Sequence, residues 1–411
     1  MTDFLTLISP SQARELLLSK IDSLSDNLEE LDILQALGRV NAEDICAPHP
    51  LPNFSRSTVD GFAVQAKDTY GAAESMPSYL IKVGEVPMGS VPSREIQGGE
   101  AMIIHTGGML PNGADAVVML EYVQESRSEE IEVNRPVATG ENVIHVGEDV
   151  GQGQVIIPKG TRIRPAEIGG LSAFGISKLR VAKRIKVGVI SSGDEVVPPD
   201  AAIKLGQVRD INSYSLASLI SFSGGEPILF GIVPDRFEEL KKTSKQALDN
   251  CDVLIITAGS SASIRDMTAN VIDQLGPPGV LVHGINTRPG KPTILGVCNK
   301  KAVIGLPGNP VSALVNGILF LVPLMEKLSG QTPGKPQPII PAKVTINLAS
   351  QTGREDWQPV KLIAGPEGWL AEPIFGKSNL IFTLVSSDGL FCIPPDSTGL
   401  SAGDQVEVYL L

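Results

Sequence analysis

Cysteine is scarce in this 411-residue chain, which has four: Cys46, Cys251, Cys298 and Cys392, none in a C-x-x-C pair. That spacing excludes a zinc knuckle and predicts free thiols in a reducing compartment. Histidine is equally rare. His49, His105, His145 and His283 are scattered along the chain and suggest no local His-based metal site. Positive charge is in deficit, with 34 Lys and Arg against 46 Asp and Glu, a net charge of −12. Nucleic acid or an anionic membrane would need a basic surface, so neither is expected as a partner. Long apolar runs are missing too. The most apolar stretch, Val311 to Met325, is interrupted by Ser312, Asn316 and Pro323 and falls short of the ~18 residues a membrane-spanning helix needs. Met1-Thr2-Asp3 offers no basic region ahead of the first apolar residues, which argues against a secretory signal. The expectation is a soluble, cytoplasmic protein.

What the chain does have is punctuation: 42 Gly and 31 Pro, hence many turns and short strands. Ser9-Pro10-Ser11-Gln12 opens a helix with a capping box, and Ala13, Leu16, Leu17 and Leu24 then share one face. From Asp44 to about Ile163 short apolar runs predict strands at Tyr79–Ile81, Ala101–Ile104, Ala116–Met119 and Gln154–Ile157. At Ile185 the rhythm changes. Strands at Ile185–Ile190, Ile228–Val233, Asp252–Thr257 and Ala302–Gly305 alternate with helices across Leu216–Ile220, over Asp235–Asn250, from near Asp266, and after Pro310. That alternation predicts a parallel, doubly wound α/β sheet. Leu328 to Pro341 reads as a linker, and the period-two runs Val344/Ile346/Leu348, Val360/Leu362 and Val406/Val408/Leu410 predict a small C-terminal β-barrel. The fold class is therefore α/β plus β modules, with β-rich modules on the N-terminal side of the sheet domain.

Ligands of an open α/β sheet bind beyond the carboxyl ends of its strands. Three loops leave strands there with small or glycine residues: Ser191–Glu195, Ala258–Ser263 and Leu306–Pro310. Such loops bring backbone N–H groups and a helix N-terminus close to an anion. Arg288-Pro289-Gly290-Lys291-Pro292 adds two cations. Common nucleotide motifs fail. Gly290-Lys291 is followed by Pro292 rather than Ser or Thr, Gly151-Gln152-Gly153 lacks a third glycine, and no G-x-S-x-G occurs. Acidic residues beside an anion loop need a counter-charge, and Asp60, Glu195 and Asp266 would suit Mg²⁺. Each also has a plain account: a turn residue for Asp60, a solvated loop position for Glu195 and a helix N-cap for Asp266. For Asp235 the plain account is a capping box with Glu238.

Taken together, these stretches resemble the molybdopterin molybdenumtransferases, the bacterial enzymes akin to the C-terminal domain of gephyrin. The resemblance runs through Leu37–Ile45, Leu51–Val64, Gly113–Val118, Gly140–Val143, Ser191–Glu195, Asp210–Tyr214, Arg288–Pro292, Gly305–Ala313 and Gly353–Trp357 in order. It implies an elongated subunit with an N-terminal module over residues 1–45 and 140–180, a β-rich module over 46–139, a molybdopterin-binding α/β domain over 181–328 and a barrel over 336–411. It implies a reaction in which adenylylated molybdopterin and molybdate give molybdenum cofactor and AMP with Mg²⁺, carried out by a homodimer that could also meet the molybdopterin adenylyltransferase. Asp60, Thr106, Glu195, Asp235, Asp266, Arg288 and Lys291 fall at the family's catalytic positions. Gly259, Ser260, Ser261, Pro307, Gly308, Asn309 and Ser312 would line the pterin phosphate pocket, and Asp60, Glu195 and Asp266 would hold the metal. The resemblance assigns Asp60 and Thr106 to one site with Glu195 and Asp266, an arrangement a symmetric dimer could build. There are departures. Ala258–Asp266 is one residue shorter than the usual loop, Arg265-Asp266-Met267-Thr268 is similar to the adenylyltransferase, and His283-Gly284 replaces a Trp-Lys pair. The alternatives are that adenylyltransferase activity, or a non-catalytic gephyrin-like scaffold.

Overall fold

The computed structural model describes residues 7–127, 129–259, 262–332 and 338–411. By its internal contacts the chain divides into two units, one of Met1–Glu43, Lys159–Ile168 and Ser177–Leu411, the other of Asp44–Pro158 and Gly169–Ile176.

The second unit is built on a six-stranded sheet in the order Ala116–Met119, Gly61–Val64, Glu100–Ile104, Ser78–Val86, Glu130–Val133, Val123–Arg127. Neighbours are antiparallel except Ser78–Val86 and Glu100–Ile104, which run parallel. Alternating side chains fill two cores, Phe62, Val64, Ala101 and Val118 on one face and Ala63, Met102, Ile104 and Val117 on the other. That is the period-two pattern of a sheet buried on both sides. Gly61 has no alternative, because a Cβ there would run into the Val118 carbonyl.

In the first unit, the sheet order is Glu226–Val233, Lys186–Ser192, Val253–Ala258, Lys301–Pro307, Ile294–Cys298, Pro278–His283. The first four strands are parallel, as the sequence predicts. The last two are antiparallel additions that the apolar pattern did not announce, and Ile294–Cys298 is joined to Lys301–Pro307 by a tight turn with Asn299 and Lys300 at positive φ. Helices cover both faces. Pro10–Ser19, Asn212–Phe222 and the long helix after Pro310 pack on Val187, Val189, Ile255 and Ile304. Phe237–Asn250 and Ala262–Leu275 pack on Ile190, Leu254, Ile256 and Val303.

The Ser9 capping box forms as expected, with Ser9 Oγ accepting from Gln12 N. The Asp235 box does not: the helix starts at Phe237 with Arg236 in the cap position and no side-chain cap. Asp266 is not an N-cap either, since its helix begins four residues earlier, at Ala262. The helix Pro310–Leu328 runs 19 residues, longer than the apolar stretch read from the sequence, and is long and apolar enough to cross a membrane. Most of it (61%) is buried in the protein, which is the environment of a core helix. Its middle, Gly317–Leu321, is π-helical. Pro323, which lacks the N–H owed to the carbonyl four residues back, follows directly.

The barrel closes. Glu355–Gly365 pairs with Gly368–Pro373 near its end and with Gly389–Ile393 near its start, and Ile339–Val344 and Gln405–Leu410 complete the ring. Val344, Val360, Ala371, Phe391, Val406 and Val408 fill it. The two-residue strand Thr287–Arg288, which belongs in sequence to the α/β domain, adds in parallel to the start of Glu355–Gly365. The four cysteines carry no disulfide, as the spacing predicts.

Candidate functional site

The parallel strands Lys186–Ser192, Val253–Ala258 and Lys301–Pro307 end side by side, bringing the three small-residue loops to one edge. Two cavities open there. The smaller, about 310 Å³, is lined by Ser191, Ser192, Glu195, Arg209, Asp210, Asn212, Thr257, Gly259, Gly308 and Asn309 among others. The larger, about 640 Å³, is lined by Arg288–Pro292, Pro307, Asn309, Ser312, Gln351–Arg354, Asp356 and Lys377–Ser378 among others. Asn309 belongs to both.

These loops are held by side chains rather than left to solvent. Asn212, nearly buried, donates from Nδ2 to Gly308 O at 2.9 Å, and its Oδ1 has no partner among the described residues. Gly308 sits so close to Ala258 O that a Cβ would lie 3.0 Å from it, so the two strand ends approach through backbone alone. Asn309 Nδ2 donates to Ser378 Oγ at 3.0 Å. Fully buried Asn316 donates to Pro289 O at 3.1 Å and Ser312 O at 2.8 Å, tying the Arg288–Lys291 loop to the helix that carries Ser312. Gly290 has φ +109°, and a side chain there would collide with Asn316.

The expected residues sort as follows. Arg288, Lys291, Pro307, Asn309 and Ser312 share the larger cavity. Glu195, Gly259, Gly308 and Asn309 share the smaller one. Arg288 pairs with Asp356, whereas exposed Lys291 has no side-chain partner among the described residues. Asp235, freed from capping, accepts a 2.6 Å bond from Ser192 Oγ, and its N–H donates to Asp194 Oδ1 at 3.3 Å. It therefore stands just behind a residue of the smaller cavity. Asp266 is exposed on its helix and lines neither cavity. Ser260 and Ser261 lie outside the described residues.

Asp60 and Thr106 meet in the other unit. Asp60 Oδ1 accepts from Thr106 N at 2.7 Å and from Thr106 Oγ1 at 3.2 Å. These bonds, the backbone one foremost, lower the Asp60 pKa below its ordinary value of 3.8, with the nearby His105 adding to the effect. His105 lies between two carboxylates, Nε2 at 2.9 Å from Glu85 and Nδ1 at 3.8 Å from Asp60.

The loop Ser191–Glu195 was expected to carry ligand and brings Ser192 to the smaller cavity; sequence reasoning missed Arg209, gave Asn212 no role although its stretch Asp210–Tyr214 carries the resemblance, and missed the Gly376–Asn379 segment altogether. Ser378 comes from 69 residues beyond Asn309, so no local pattern could have linked them.

Three models of known families match in succession: MoeA N-terminal region (domain I and II) over residues 8–175, "Probable molybdopterin binding domain" over 188–327, and MoeA C-terminal region (domain IV) over 341–411. A Methanocaldococcus jannaschii protein named for molybdopterin biosynthesis is 37% identical, with 98% of each chain covered. A molybdopterin molybdenumtransferase of Haemophilus influenzae is 31% identical, again with 98% of each covered. Among solved structures, a molybdopterin biosynthesis moeA protein from Pyrococcus horikoshii OT3 superposes with a TM-score of 0.85 at 33% identity, covering 99% of this chain and 100% of its own.

Proposed function

This chain belongs to the MoeA family, and on that premise we propose that it is a molybdopterin molybdenumtransferase, acting in molybdenum cofactor biosynthesis. In this reading adenylylated molybdopterin gives up AMP, and molybdenum delivered as molybdate is left on the dithiolene. The observation that carries it is the pair of cavities meeting at Asn309, one of them lined by Arg288, Lys291, Arg354 and Lys377. Both substrates are oxyanionic. Four cations against one carboxylate suit a tetrahedral oxyanion or a phosphate, and Ser312 and Asn309, in the first turn and cap of the Pro310–Leu328 helix, add hydrogen-bonding groups where the helix dipole favours negative charge.

The reading includes Mg²⁺. Among the described residues no three His, Cys, Asp or Glu side chains group closely enough to hold a metal by themselves. The reading is of a magnesium ion carried by one or two carboxylates together with substrate phosphates. Glu195, exposed at the smaller cavity, fits as a ligand, and the resemblance adds Asp60 and Asp266. When bound, the ion would neutralise charge on the anhydride that breaks. Ser192, which lines the smaller cavity, would keep the Asp235 carboxylate fixed behind it. The reading also includes a cytoplasmic homodimer, which sedimentation of the purified chain tests.

The deciding experiment is incubation of purified protein with adenylylated molybdopterin, molybdate and Mg²⁺, followed by assays of AMP and active cofactor. In a parallel incubation with ATP and molybdopterin that is not adenylylated, release of pyrophosphate, with no AMP from the adenylylated pterin in the first, would point to the adenylyltransferase step. Release of neither would favour a scaffold.

A further inference from the structure

A carboxylate in the wall of an oxyanion cavity needs a reason, since at close range it repels the ligand. The larger cavity contains one, Asp356. Its surroundings supply the reason. Asp356 is only 6% exposed. Its Oδ2 lies 3.3 Å from Arg288 Nη1 and 3.6 Å from Arg354 Nη2, and Ser350 Oγ donates to the same oxygen at 3.0 Å. Backbone pairing builds this arrangement: Thr287–Arg288 runs parallel to the start of Glu355–Gly365, with Arg288 opposite Asp356. Two guanidiniums from separate stretches of chain thus converge on one buried oxygen. Neither is used up by it. Arg288 remains 61% exposed and Arg354 30%, and the buried Nε of Arg354 has no hydrogen-bond partner among the described residues.

We propose that Asp356 is a positioning residue that aims Arg288 and Arg354 at an oxyanion held in the larger cavity. The inference rests on the oxyanion reading of this cavity given above and deepens it. Without a fixed partner, two like-charged arginines would splay toward solvent, and each would lose its rotamer freedom only when ligand arrived. With Asp356 buried between them, that ordering is completed on folding. The residue acts through the arginines and does not touch the ligand.

Two accounts of Asp356 predict opposite signs. As a mere wall charge, its neutralisation makes the cavity more positive and tightens oxyanion binding. As a positioning residue, its neutralisation releases the arginines and weakens binding. Calorimetric titration of the full-length protein with molybdate, and separately with inorganic phosphate, decides between them. Asp356→Asn should weaken both by about tenfold or more, Asp356→Glu should recover part of the loss, and Ser350→Ala should weaken binding about two- to threefold. Equal or tighter binding by Asp356→Asn with an unchanged circular-dichroism spectrum overturns the proposal. Should that variant fail to fold, unchanged affinity in Ser350→Ala overturns it instead. Wild-type protein that binds molybdate but releases no AMP refutes the transferase reading alone. Wild-type protein that releases AMP while binding neither oxyanion overturns this inference alone.

Discussion

The carboxyl edge of the α/β sheet and the Asp60 loop hold their functional candidates in different ways. At the sheet edge, loops are clamped by buried asparagines, Asn212 on Gly308 and Asn316 on Pro289, and the candidates line cavities. At the Asp60 loop, a carboxylate 57% exposed is fixed by one neighbour, Thr106, through two bonds to a single oxygen. The first arrangement sets several charged side chains around one cavity, so that their fields add at a bound ligand; the second fixes a single carboxylate beside one histidine. Two sequence motifs of similar specificity can thus mark sites that differ in how many charges they bring together.

Five tests bear on that contrast. The largest effect is expected from the metal: excess EDTA should abolish AMP release, and added Mg²⁺ should restore it. Next, Glu195→Gln and Lys291→Met should each lower the rate of AMP release by ~100-fold without lowering the melting temperature. Asp60→Asn should cost only ~10-fold, as befits a lone carboxylate that lines neither of the two cavities. An equal loss at Asp60 and Glu195 in the same assay would break the comparison. A smaller effect is structural. Asn212→Ala removes the clamp on Gly308 and should destabilise the protein by ~1–2 kcal/mol, read from chemical denaturation.

The smallest effect is a titration. Thr106→Ala should move the Asp60 midpoint, followed by carboxyl-carbon NMR, up toward the ordinary 3.8. The sign follows from the direction of the shift. A carboxylate whose folded pKa is lowered contributes stability above the ordinary carboxylate range and loses it as pH falls through the folded value. Between pH 5 and 8 the variant and the wild type should therefore show the same pH profile.

Much of this was legible because it is written locally. Ser9 to Gln12 encode a capping box within one turn, and the buried runs Lys186–Ser192, Val253–Ala258 and Lys301–Pro307 encode parallel strands with small-residue ends. The collinear motifs named the family. What was not legible depends on distant partners. The strands Pro278–His283 and Ile294–Cys298 hide among glycines and prolines and become strands only by pairing with Lys301–Pro307 and each other. Asp235 carries an acidic residue three positions on, as a capping box should, yet Ser192 captures its carboxylate from 43 residues away. Asp356 sits in a motif visible from sequence, but its hold on Arg288 spans 68 residues.

The parallel pairing of Thr287–Arg288 with Glu355–Gly365 bears on modularity. The C-terminal barrel has a compact core and a closed ring, so it looks like a cassette that could be trimmed or exchanged. It is not one. Cutting the chain after residue 332 would strip the Arg288 segment of its backbone partner and of the carboxylate that faces it, leaving the Asn316 bond to Pro289 as its tether, and would uncover Val311 and Val315, which pack on Leu384 and Leu390. A transplanted barrel would restore the loop only if it presented an acidic residue in register at the same strand position.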